Sequence, residues 1–145
     1  MSDKTTGCFL CEAVKATDDK AALIVCRRDS CLCVLNRFPY NNGHLLIAPC
    51  AHKAGLEDLT EEDMTGLMLL TRDAQLALQK EMKPQGFNIG ANVGEAAGAG
   101  LPGHFHIHIV PRWSGDTNFM SALSGTKVIP QSLEDVWNQL RKQFA

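Results

Sequence analysis

The sequence predicts an α+β fold: a mostly antiparallel sheet with one long helix and a C-terminal helix. Three observations predict it. Short apolar or β-branched runs alternate with turn residues between positions 21 and 48. After Thr60 the apolar residues recur at helical spacing, and the tail after Ser132 is amphipathic. At 145 residues the chain has the modal size of one domain. We therefore expect a single domain over 1–145, with an N-terminal arm over 1–20 and a helical tail over 120–145.

Ala21 to Arg27 and Cys31 to Leu35 read as strands, and Arg28-Asp29-Ser30 between them as a hairpin turn. Asn36 to Gly43 is a loop, with Pro39 and Asn41-Asn42-Gly43 supplying the turn chemistry. His44 to Ala48 is a third strand, stopped by Pro49. Thr60 caps a helix whose acidic first turn, Glu61-Glu62-Asp63, suits the positive end of the dipole. Leu67, Leu70, Ala74, Ala77, Leu78 and Met82 line its inward face, and Pro84 and Gly86 end it at about Lys83. Phe87 to Ala91 and His104 to Val110 are the last two strands; Pro111 terminates the second. Ser132 caps the final helix, which places Leu133, Val136, Trp137 and Leu140 on one side.

Fourteen basic against sixteen acidic residues give a net charge of −2, so no basic stripe exists for sequence-independent nucleic-acid binding. No apolar run approaches the roughly 20 residues of a membrane helix, and Met1 to Cys8 lacks the apolar core of a signal peptide. A cytoplasmic placement follows as an expectation, with the six cysteines reduced.

The most informative segment is Gly103-His104-Phe105-His106-Ile107-His108-Ile109-Val110-Pro111-Arg112-Trp113. Side chains of a strand alternate between faces, so His104, His106 and His108 share one face while Phe105, Ile107 and Ile109 share the other. The apolar face looks into the core, leaving a row of imidazoles opposite. Neutral imidazole is a nucleophile or base near pH 7, and its cation holds anions; a row of three suits phosphate chemistry or a metal. The preceding loop carries Gly90, Gly94, Gly98, Gly100 and Gly103, which allow backbone N–H groups to approach an anion.

The octet His104-Phe105-His106-Ile107-His108-Ile109-Val110-Pro111 resembles the His-x-His-x-His-x-x motif of the histidine triad (HIT) superfamily, with an apolar residue at every x. Two further segments agree in order: Asn36-Arg37-Phe38-Pro39 leading into Gly43-His44-Leu45-Leu46-Ile47, and Asn92 ahead of the Gly-rich loop. The resemblance runs roughly from Cys8 to Phe119. The continuation from Pro111 to Phe119 looks most like the bacterial diadenosine tetraphosphate phosphorylase and fragile-histidine-triad branch.

That resemblance implies a HIT-like fold and a homodimer packed through the long helix and a sheet edge. It implies attack by the middle histidine, His106, on the α-phosphorus of a nucleotide, through a nucleotidyl-histidine intermediate. By the same mapping His108 binds phosphate oxygens and His104 orients the row. His44 matches a fourth, buried histidine, although a core histidine is the alternative reading. Asn36 falls where a polar residue meets the ribose and Asn92 where phosphate or sugar is contacted; both also suit turns. His106, His108, Gly98, Gly100 and Leu101 complete the implied nucleotide contacts. Where several relatives carry Ser, Thr or Gln, this chain has Gly98-Ala99-Gly100-Leu101-Pro102, leaving only backbone N–H groups for the leaving group.

Cys8-Phe9-Leu10-Cys11 is a Cys-x2-Cys knuckle that wants two more ligands for a tetrahedral zinc site; chance or a redox role competes. The resemblance to zinc-bearing members supplies them as His52 and His104, giving a structural Zn2+ on Cys8, Cys11, His52 and His104. Cys26, Cys31, Cys33 and Cys50 read as small core hydrophobes, with Cys31 and Cys33 as rival ligands on one strand face. The expected function is cleavage or transfer of a nucleoside monophosphate unit from a nucleotide such as a dinucleoside polyphosphate. A nucleotide-binding sensor with little turnover, and a catalytic or transport metal on the three histidines, are the other readings.

Overall fold

The computed structural model describes residues 7–98, 103–116 and 131–144. Along the chain run α1 (Phe9–Lys15), β1 (Ile24–Arg27), β2 (Cys31–Leu35), β3 (Leu45–Pro49), α2 (Glu61–Met82), β4 (Gly86–Gly90), β5 (Ile107–Arg112) and α3 (Leu133–Arg141). The five strands form one antiparallel sheet in the order β1-β2-β3-β5-β4. The α+β architecture is therefore the one the sequence predicts. The expected N-terminal arm and C-terminal tail are described only from residue 7 and residue 131 respectively.

Strand alternation divides the sheet into two faces. Cys31, Cys33, Leu35, Leu45, Ile47 and Ile109 occupy one, in the same core cluster as Leu67, Leu70, Ala74, Ala77 and Leu78 of α2. Ile24 and Leu32 occupy the other, packed with Ala13 of α1. Thr60 caps α2 as expected: its hydroxyl accepts from the Asp63 amide at 3.0 Å and the Asp63 carboxylate accepts from the Thr60 amide at 3.1 Å. The helix stops at Met82 because Lys83 turns left-handed ahead of Pro84. Val136 and Leu140 of α3 join the core, and the Trp137 indole donates to the Ile24 carbonyl at 2.8 Å.

Three expectations need correction. Pro111 does not end the last strand, which continues to Arg112. β3 pairs with β5 only as far as Ile109, and the Pro111 carbonyl accepts from the Asn41 side chain rather than from a ladder partner. The missing N–H therefore falls where there is no ladder bond to lose. His104 and His106 precede the paired strand, which begins at Ile107. Ala21 to Leu23 form a turn, with Leu23 at a φ of 61°, so β1 begins only at Ile24.

Gly43 delivers the chain into β3. Its φ is +80°, and a Cβ there would lie 2.7 Å from the Met82 sulfur and 2.9 Å from a Leu78 methyl. Gly43→Ala combines a left-handed penalty with overpacking and should cost about 2–4 kcal/mol. Urea unfolding should show a lower midpoint at unchanged slope. A midpoint equal to that of the unsubstituted chain would contradict this packing.

Candidate active site

His108 pairs with Leu46 on β3 and with Gly90 on β4. It therefore stands on the face away from α2, with Val110 beside it and Asn88 opposite Val110. His106 lies two residues earlier, its ring centroid 4.9 Å from that of His108. His44 enters from the start of β3, its centroid 5.1 Å from His108 on one side and 5.1 Å from Tyr40 on the other. The structure thus brings His106, His108 and His44 together. His104 diverges: its ring partner is His52, at 5.1 Å.

Hydrogen bonds fix the proton on each ring. A carbonyl oxygen can only accept, so the 3.0 Å contact from His106 Nδ1 to the His104 carbonyl places the proton on Nδ1. In the neutral ring the lone pair is then on Nε2. His106 is 8% exposed. Among the described residues no side-chain nitrogen or oxygen is both buried and unpartnered, so the Nε2 edge of His106 reaches the surface. The buried ring thus keeps its reactive edge open.

The His44–His108 pair is ordered in the same way. The Tyr40 amide donates to His44 Nδ1 at 3.2 Å, and the Asn36 side-chain nitrogen lies 3.4 Å from the same atom. Nδ1 therefore accepts, and His44 donates through Nε2 to His108 Nδ1 at 2.9 Å. That leaves the His108 proton on Nε2, at the exposed end of the relay. Burial, reinforced by His108 and His106, pushes His44 down to about 4, so it stays neutral near pH 7. Burial is also the first cause of the downward shifts of His108 and His104.

The second cluster joins Cys8, Cys11, His52 and His104, whose ligand atoms all lie within 4.8 Å of one another. His104 donates from Nε2 to the Pro49 carbonyl at 2.8 Å, which directs the Nδ1 lone pair toward Cys8 Sγ at 3.3 Å and Cys11 Sγ at 3.5 Å. His52 Nδ1 lies 3.2 Å from Cys11 Sγ. Tetrahedral coordination with standard zinc–sulfur and zinc–nitrogen bonds needs edges of about 3.5 Å, and a ligand histidine held by a carbonyl at its other nitrogen is the expected outer shell. These four residues fit such an ion. Gly103 makes the approach possible, since a Cβ there would meet His52 Nε2 at 2.9 Å.

Two cavities flank the relay. One, of about 570 Å³, includes Ala13, Ala22, Val34, Asn36, Phe38 and Phe9 in its wall. The other, of about 690 Å³, is lined by His108, Asn88, Asn92, Tyr40 and Arg112 among others. Asn36 and Asn92 are thus in different cavities, linked through His44 and His108. Asn36 also accepts from the Phe38 amide at 2.9 Å, so it serves its turn as well. Gly98 ends a short 3-10 turn with a φ of +89°, and its carbonyl accepts from the Asn92 side-chain nitrogen at 3.5 Å. Gly100 and Leu101 lie outside the described residues. Sequence reasoning missed Tyr40 and Pro49, which act through backbone atoms that leave no side-chain signal. It also missed the pairing of Arg112 with Asp116, at 2.8 Å, whose only sequence trace is a spacing of four.

A model of the HIT domain matches residues 17–115. An AP-4-A phosphorylase of Mycobacterium tuberculosis is 42% identical over 127 residues, 88% of this chain; the chain spans 65% of that protein's length. A HIT-like protein of Saccharolobus solfataricus is 33% identical across 78% of this chain and 79% of its own. Among solved structures, a zinc-bound histidine triad family protein of Mycobacterium smegmatis superposes with a TM-score of 0.75 at 26% identity, covering 96% and 94% of the two chains. With its three alternating histidines in this fold, the chain belongs to the HIT domain family.

Proposed function

We propose that the chain cleaves dinucleoside polyphosphates at an α-phosphorus through a covalent nucleotidyl-histidine on His106. One observation carries the reading: His106 holds its proton on Nδ1 against a carbonyl and keeps Nε2 open beside His108. The similarity to an AP-4-A phosphorylase points to the substrate class. The Nε2 lone pair attacks phosphorus, the phosphorus–oxygen bond breaks, and the departing polyphosphate leaves with that electron pair. The proton stays on Nδ1 and is donated to the His104 carbonyl, which steadies the positive ring as the nitrogen–phosphorus bond forms. His108, with its proton on Nε2, donates a hydrogen bond to the departing or non-bridging oxygen. Water or phosphate then attacks the intermediate, releasing the nucleoside mono- or diphosphate and restoring His106.

In this reading the apolar cavity beside Asn36 seats the base, with Asn36 at the ribose. Asn92 contacts phosphate or sugar from the other side. Zinc is the ion for Cys8, Cys11, His52 and His104. It would cross-link the start of α1 to the segment before β5 and take no part in the chemistry. A homodimer is supported by the unpaired outer edge of β4, by Ile89 exposed on its α2 side, and by exposed Met64, Met68 and Leu76 on α2. No helix among the described residues is long and apolar enough to cross a membrane; we place the protein in the cytoplasm.

His106→Ala should lose turnover of diadenosine tetraphosphate by about 10³-fold or more while still binding AMP by calorimetry. Retained turnover would refute the nucleophile. The purified chain should hold about one zinc, lost in Cys8→Ser and kept in His106→Ala. Zinc lost from His106→Ala but kept in Cys8→Ser would move the ion onto the triad. Folded His44 titrates near 4 against an ordinary 6.5, so between those values only the unfolded chain takes up the proton. Stability should therefore fall as pH drops through that window. His44→Gln should remove on the order of 2 kcal/mol of the decline between pH 6.5 and 4.5. Parallel pH curves for the two proteins would show that His44 is not held neutral.

A further inference from the structure

Gly90 faces His108 across the β4–β5 ladder, and the two line the same cavity. A Cβ built on Gly90 would have no neighbour within 4 Å, and its φ lies outside the left-handed region. The glycine is therefore not required by the backbone or by crowding. Its effect is to leave open the flank of His108 that a side chain would cover.

The opened cavity measures about 690 Å³, against about 570 Å³ for the cavity beside Asn36. Ligand sites run from about 300 to 1,000 Å³, so each of the two can take a nucleoside-sized group. Its polar wall is preorganised. Arg112 pairs with Asp116 through two nitrogens, at 2.8 and 3.0 Å, and also donates to Asn88 Oδ1. Asp116 in turn accepts from the Asn41 side chain at 2.6 Å and the Trp113 amide at 3.0 Å. Since Asn88 Oδ1 accepts from Arg112, its amide hydrogens remain to donate. Tyr40, 71% exposed, offers ring surface at the rim.

We propose that this cavity is the leaving-group subsite, which receives the second nucleoside and its phosphates as they depart from the phosphorus attacked by His106. The inference rests on the proposed nucleotidyl transfer and adds to it a location and a selectivity. Displacement at phosphorus places the departing oxygen opposite the attacking nitrogen. His108, which carries its proton on Nε2, stands at the cavity wall, where that oxygen and the rest of the leaving group would emerge. An amine, fluoride or single phosphate would leave most of this space to water. The chain is thus built for substrates with a nucleoside on both ends.

Filling the space tests it. Gly90→Leu and, as an independent variant, Ala91→Trp are assayed on two substrates that share the transferred AMP. Diadenosine tetraphosphate has a large leaving group, and adenosine 5′-phosphorofluoridate releases only fluoride. Both variants should lose at least about 10-fold more in kcat/KM on the first substrate than on the second. Equal losses on both substrates, or no loss on either, would overturn the subsite. An unsubstituted chain that transfers AMP from neither substrate would instead overturn the reading beneath it.

Discussion

The 3.0 Å bond from His106 Nδ1 to the carbonyl two residues earlier is the constraint on which the site depends. An imidazole is ambiguous: either nitrogen can carry the proton, and both can. A carbonyl partner settles the tautomer: it accepts from one nitrogen, so in the neutral ring the lone pair falls on the other. A second carbonyl, from Pro49, does the same for His104, and the Tyr40 amide does it in reverse for His44. Three backbone groups thus set the protonation of four histidines.

The bond at His106 needs a fixed backbone, and the sheet does not supply one. Residues 104 to 106 lie before the paired part of β5, so other anchors hold them. The Phe105 amide donates to the Lys53 carbonyl at 2.6 Å, and the Lys53 ammonium meets Asp63 at 2.6 Å. Asp63 is the carboxylate of the α2 capping box. The His104 side chain is gripped by Pro49 and the two cysteines. An ion on Cys8, Cys11, His52 and His104 would reinforce this grip, which gives a structural metal a direct bearing on a ring it does not touch.

Much of this was legible in the sequence where a pattern is local and periodic. The cap at Thr60, the inward face of α2 and the limits of β2 follow from spacing and residue type alone. The Cys-x2-Cys knuckle and His-x-His-x-His were visible for the same reason. Helix α1 was not, because seven residues are too few to show a helical period. Pro111 misled because its cost depends on which side of the strand has a neighbour, and sheet order cannot be read from composition. The contrast between His104 and its two neighbours was hidden likewise. Alternation predicts a shared face, whereas the cysteines and His52 that capture His104 are distant in sequence. Gly90 reads in the sequence as one more glycine of the anion-approaching loop; only its register against His108 shows which side chain it faces.

The most direct test is the nitrogen NMR spectrum of the imidazoles near pH 7, in the full chain labelled with ¹⁵N. Long-range proton–nitrogen correlations distinguish a protonated ring nitrogen from one with a free lone pair. The account predicts that the neutral His106 ring carries its hydrogen on Nδ1, and that His44 and His108 are neutral with hydrogen on Nε2. A neutral His106 ring that carries its hydrogen on Nε2 would contradict it.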